Sequence, residues 1–219
     1  MEKISYGVYK IPLILNESVG ISKNQLSKKF ANAQISLKNF AKKYGWEDQV
    51  RKPFVKKVYV FGDQSNLKAR LVEITNAKTD DFPEKISAVI IDKKLYILSP
   101  DEYKNIYPEG DENNYYEKLI THELAHQLHL RILDGQDESM GPIWFYEGFA
   151  IFAADQFSDY KLNSSDIWKI INSKKRVSYK YYGAVVRFFL EKISLNKLVE
   201  NAKRDDFVDW IEGLKIEKF

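Results

Sequence analysis

Strand-like sequence stops at Ser99-Pro100, and this one break does most to limit the folds open to the chain. Between Phe54 and Leu98 the β-branched and aromatic residues come in short runs: Phe54–Phe61, Leu67–Thr75, Ser87–Ile91 and Leu95–Leu98. Turn-forming stretches, Gly62-Asp63-Gln64-Ser65-Asn66 and Asp80-Asp81-Phe82-Pro83, separate them, so four strands of one sheet are predicted. Only Asp92-Lys93-Lys94 parts the last two, which predicts a tight hairpin. Past the break the periodicity is helical, near Tyr115–Leu133, Ile143–Phe157, Ser165–Ile171 and Tyr179–Ile193, with two short helices after Leu195.

One further helix precedes the strands. Leu26, Phe30, Ala33, Leu37, Phe40 and Tyr44 recur at steps of four and three residues, the spacing of an amphipathic helix over about Ser22–Tyr44. Ser22 and Gln25 form a capping-box start, and Gly45 supplies a left-handed stop. The pattern predicts an α+β fold, with a lobe of one helix and a small mixed β-sheet at about 1–134 and an all-helical lobe at about 135–219. No repeat, low-complexity linker or Gly- or Pro-rich boundary divides the chain, so a single domain spanning 1–219 with one continuous core is expected.

Charge and composition narrow the function classes. The 34 basic and 31 acidic residues are interspersed, which gives no electrostatic footprint for nucleic acid. Glu2, Lys3 and Lys10 interrupt the apolar stretches of Met1–Leu15, which argues against a secretory or membrane segment and for a cytoplasmic protein. Cysteine is absent, so a transition metal would have to be held by His, Asp or Glu, and there are three histidines.

Two of those histidines stand in Thr121-His122-Glu123-Leu124-Ala125-His126, an H-E-x-x-H sequence within a helical pattern. A four-residue step turns a helix by about 40°, so His122 and His126 share one face, one turn apart, and can share one metal ion. Glu123 flanks such an ion without binding it, where a carboxylate can take a proton from water. His129 returns to nearly the same face, but about 10 Å from His122 along the axis, too far to join both. It is expected to line a cleft or the surface, with a pairing to His126 as the alternative.

The expected third ligand is Glu147. Every residue of Ile143–Ala153 except Glu147 and Gly148 is apolar or aromatic, so a carboxylate there needs compensation by a cation. A metal ion would supply it, or a nearby Lys or Arg. Gly148 lets two helices approach closely.

H-E-L-A-H followed by W-F-Y-E-G-F-A, with 20 residues between His126 and Glu147, resembles the gluzincin group of zinc metallopeptidases, in the peptidase MA-like superfamily, over roughly Tyr115 to Phe157. The resemblance implies one zinc ion per chain on His122, His126 and Glu147, a zincin-like cleft between the lobes, and Glu123 as general base in peptide-bond hydrolysis. It also implies a later Tyr or His that stabilises the oxyanion. No later His exists, and Ser178-Tyr179-Lys180-Tyr181-Tyr182-Gly183-Ala184 resembles the Tyr-bearing helix start of related members, with Tyr179 the first choice and Tyr182 the second.

Two departures bear on the expected activity. Ile151 stands where many relatives carry a polar group one turn after the third ligand, with Asp155 two turns on. The motif by which related aminopeptidases capture an amino terminus has no counterpart between Ile86 and Pro100, which favours an endopeptidase. The expected partner is therefore a peptide or protein substrate, with Leu95–Leu98 as the strand to pair with it. The alternative is a catalytically idle zinc-binding domain that holds a protein partner in a protease-like groove.

Overall fold

The computed structural model describes residues 3–4, 8–108, 112–173 and 175–214. It is an α+β structure of helices with a small mixed β-sheet. The chain forms two compact units, Met1–Ser36 with Arg51–Glu123, and Leu37–Val50 with Leu124–Phe219. Among the described residues no helix is long and apolar enough to cross a membrane.

In the first unit a two-stranded ribbon, β1 (Lys3–Ile4) and β2 (Val8–Tyr9), leads into a four-stranded sheet. That sheet comprises β3 (Leu13–Leu15), β4 (Lys57–Phe61), β5 (Ala88–Ile91) and β6 (Lys94–Leu98), in the order β3-β4-β6-β5. The first three in this order run parallel, and β5 pairs antiparallel with β6. The expected hairpin is present: Ile91 faces Lys94 across Asp92 and Lys93, which both adopt positive φ (50° and 58°) as a two-residue hairpin turn requires.

Two sequence expectations are corrected here. Leu67–Thr75 is not a strand but most of α2 (Gln64–Thr75), with the sheet's remaining place taken by β3. The helix wins because Asp63 caps it, accepting from Asn66 N at 2.8 Å, and Leu67 and Leu71, one turn apart, are both fully buried. The second concerns Leu95–Leu98, which is interior, paired on both sides, so its backbone cannot add an extended peptide; the edges of the sheet are β3 and β5.

The amphipathic helix α1 (Lys23–Lys43) forms as the spacing predicts. Ser22 N donates to Gln25 Oε1 at 3.1 Å and Gln25 N to Ser22 Oγ at 3.3 Å, a reciprocal capping box, and Gly45 at φ 77° follows its end. Leu26, Phe30, Ala33, Leu37 and Ala41 are buried, so the stripe continues through Ala41, and Phe40 and Tyr44 lie beside it, half-buried. A helix absent from the sequence pattern, α3 (Pro100–Ile106), begins at the Ser99-Pro100 break, with Ser99 Oγ accepting from Glu102 N and proline at its first position. The next helix, α4 (Tyr115–Ile132), is tied to the sheet by Tyr116, whose hydroxyl donates to Leu98 O at 2.7 Å; burial pushes this phenol far above its ordinary range.

The second unit is helical. After α4 come α5 (Ile143–Ala153), α6 (Ser164–Ile171), α7 (Tyr179–Leu190), α8 (Leu195–Asn201) and α9 (Phe207–Gly213). Apolar on nearly all sides, α5 is the central helix, as a sequence without a polar face must be. Its closest neighbour is α7, and the approach depends on Gly148 and Gly183. A Cβ at Gly148 would stand 2.6 Å from Val186 Cγ2 and 2.7 Å from Tyr182 O, and one at Gly183 would stand 2.5 Å from Ile151 Cγ2. Phe40 packs edge-on against Phe149 (5.8 Å) and Phe152 (5.9 Å), which brings the segment Leu37–Val50 into this core.

Candidate metal centre

His122 and His126 lie one turn apart on α4, an uninterrupted helix, as the H-E-x-x-H spacing predicts. Glu147, midway along α5, joins them: one ligand atom from each of the three residues lies within 4.8 Å of the others. His126 Nε2 stands 3.5 Å from Glu147 Oε2. Nitrogen and oxygen ligands at about 2.0–2.1 Å from a tetrahedral metal are separated by about 3.3–3.4 Å, so this pair is already near coordination spacing. His122 and Glu147 are buried and His126 is half-buried. The group can hold a metal ion, and its two imidazoles and one carboxylate are the donor set for a divalent transition metal.

The two oxygens of Glu147 are used differently. Oε1 accepts from Arg176 Nη2 at 2.6 Å and from the Tyr179 hydroxyl at 3.3 Å. Oε2, buried, is the oxygen that faces His126. A basic partner for Glu147 therefore exists, and it bonds Oε1 and not the oxygen that faces His126. Arg176 also donates to Tyr179 Oη at 2.5 Å, and its guanidinium sits 5.2 Å from the centre of the Tyr179 ring.

Local structure fixes this trio. Arg176 is in the loop between α6 and α7, where Lys175 N donates to Ser173 Oγ at 3.1 Å. Val177 N donates to the Tyr182 hydroxyl at 2.9 Å, which fastens the loop to α7 two residues before Tyr179 opens that helix. The two candidate tyrosines thus occupy different settings. Tyr179 is 37% exposed with its hydroxyl on Glu147, whereas Tyr182 is 1% exposed with its hydroxyl on the loop backbone.

Glu123 is half-buried on α4, next to His122. Tyr146, which precedes Glu147, sets its ring 5.8 Å from that of His126; burial, then the Glu147 charge, raises its phenol above the ordinary value. Ile151 is buried against Gly183, and Asp155 is exposed past the end of α5. Tyr146 is the aromatic residue before Glu147 in W-F-Y-E-G-F-A, whereas Arg176 lies in no motif and its only sequence signal is the demand for a cation near a carboxylate in an apolar helix.

His129 corrects another expectation: it lies neither in a cleft nor on the surface but fully buried, stacked on Phe149 at 4.4 Å and edge-on to Phe145 at 5.7 Å. Among the described residues neither ring nitrogen has a hydrogen-bond partner. Burial, and then the neighbouring His126, lowers its pKa to about 3. The unfolded chain therefore binds a proton that the folded chain refuses. The stability that depends on neutral His129 is complete above about pH 6.5 and is lost as the pH falls towards 3, at about 1.4 kcal/mol per pH unit. In chelator-treated protein, His129→Leu is expected to flatten the decline of urea-unfolding free energy between pH 6.5 and 4.5. Equal slopes in the two proteins would show that His129 does not govern acid stability.

Compared with family models, curated proteins and solved structures, the chain matches none.

Proposed function

We propose that this chain is a gluzincin-type zinc peptidase with a zincin-like fold, an endopeptidase that hydrolyses peptide bonds with water. The observation that carries the proposal is the convergence of His122, His126 and Glu147, with His126 Nε2 and Glu147 Oε2 near the separation of ligands on one tetrahedral metal. Support also comes from the second motif: the carboxylate singled out in W-F-Y-E-G-F-A is the same one that lies beside the histidines.

A zinc ion on these three residues would supply a Lewis acid for the scissile carbonyl and lower the pKa of water at its open position. Glu123 takes a proton from the attacking water and delivers it to the leaving amine nitrogen. Tyr179, with its hydroxyl at the edge of the ligand set, donates a hydrogen bond to the carbonyl oxygen as negative charge develops there. Tyr182 acts earlier in the chain of causes, holding the loop that carries Arg176.

An alternative is that the Arg176–Glu147 ion pair is purely structural, since it already compensates the buried carboxylate without a metal. Elemental analysis of tag-free protein separates the two. About one zinc per chain is expected in the wild type, strongly reduced in His126→Ala and Glu147→Ala. Wild type that takes up no added zinc would leave only the ion-pair role.

A further inference from the structure

We infer that Arg176 is a positioning residue that makes Glu147 a one-oxygen ligand and turns the Tyr179 hydroxyl into a donor towards the substrate. The inference rests on the zinc reading above. A carboxylate can bind a metal through one oxygen or both. With two histidines, two-oxygen binding plus water makes five ligands, and one-oxygen binding plus water makes four. Here Oε1 is engaged by a charge-assisted bond of 2.6 Å from Arg176 and by Tyr179, while Oε2 faces His126 at 3.5 Å. Drawing Oε1 onto a metal would mean competing with a guanidinium for it. Arg176 therefore selects the oxygen and holds the coordination number down.

The same Nη2 group acts on Tyr179. A phenol has one proton to donate, and Arg176, which can only donate, occupies a lone pair of Tyr179 Oη at 2.5 Å. The phenol proton must then point elsewhere. Its partner here is Glu147 Oε1 at 3.3 Å, a long contact that a carbonyl oxygen gaining negative charge would displace. The adjacent cation further polarises the O–H bond. One half-exposed guanidinium thus sets both the ligand geometry and the direction of the oxyanion donor.

Cobalt(II) in place of zinc tests this, because its visible absorption is intense with four ligands and weaker with five. Arg176→Met removes the donors at similar length, Arg176→Lys keeps one charged donor, and Tyr179→Phe keeps Arg176 on Oε1. The weaker, five-ligand spectrum is expected for Arg176→Met alone, with Arg176→Lys between it and the wild type. Turnover is expected to fall about 10- to 100-fold in Arg176→Met, the range for residues that orient metal ligands, mainly in kcat, with KM little changed. Combining Arg176→Met with Tyr179→Phe should cost less than the product of the two single effects. A four-ligand spectrum in Arg176→Met identical to wild type would overturn the inference while leaving the zinc site standing. Failure of the wild type to bind cobalt or zinc would overturn the zinc reading and the inference with it.

Discussion

Glu123→Gln is expected to keep one zinc per chain and to lose about a thousandfold in kcat, within the 10²–10⁴-fold that a positioned general base contributes. Glutamine matches glutamate in shape but cannot accept the proton of the attacking water. His122, His126 and Glu147 are untouched, so the metal content should stay at the wild-type value. The pairing of the two results matters. Loss of both activity and zinc would mean that the substitution disturbs α4, and unchanged turnover on a cleaved peptide would remove Glu123 from the reaction. A protein that binds zinc and cleaves nothing in a broad peptide screen, with or without Glu123, would be the idle domain instead.

The largest effect on stability is expected from Gly148→Ala. The added methyl would meet Val186 Cγ2 at 2.6 Å and the Tyr182 carbonyl oxygen at 2.7 Å. Val186 can shift a little, but the backbone of α7 can move only by parting from α5. The expected loss is about 3 kcal/mol, the upper end for overpacking, which for a chain of this size is a fall in Tm of about 6–12 °C. Adding Val186→Ala should recover only part of it, because the carbonyl obstruction stays. Full recovery would show that the side chain alone sets the spacing. Because Glu147 precedes Gly148 and Tyr179 begins α7, the surviving folded protein should also bind zinc more weakly than wild type.

How legible each part is in the sequence follows the range of the interactions behind it. The cap at Ser22 and Gln25, the stop at Gly45, the turn at Asp92-Lys93 and the facing of His122 and His126 are set by residues within a few positions of one another. Leu67–Thr75 has the look of a strand because Val72, Ile74 and Thr75 are strand-like, while the deciding cap, Asp63, sits in a stretch that reads as a turn. β3 escaped notice because three residues pair with a strand more than 40 positions later, Leu13 with Val58. Glu147 was legible as a charge in an apolar helix, but its partner Arg176, 29 residues away in an unpatterned loop, was not. The burial of His129 is not legible because helical phase gives direction without saying what lies opposite, and Phe145 and Phe149 lie there.

Neither unit is a continuous piece of chain, and this has a consequence for synthesis. The second unit takes Leu37–Val50 from the early chain, and Phe40 finds its partner Phe149 only 109 residues later. At roughly 5–20 residues per second, a ribosome needs about 5–20 s to span that interval. Throughout it Phe40, Tyr44 and Trp46 wait without the α5 rings they finally pack against, Phe149 and Phe152. The nascent chain therefore carries a sticky aromatic segment throughout that interval, and its yield in cells should depend on chaperones that cover such segments until α5 emerges.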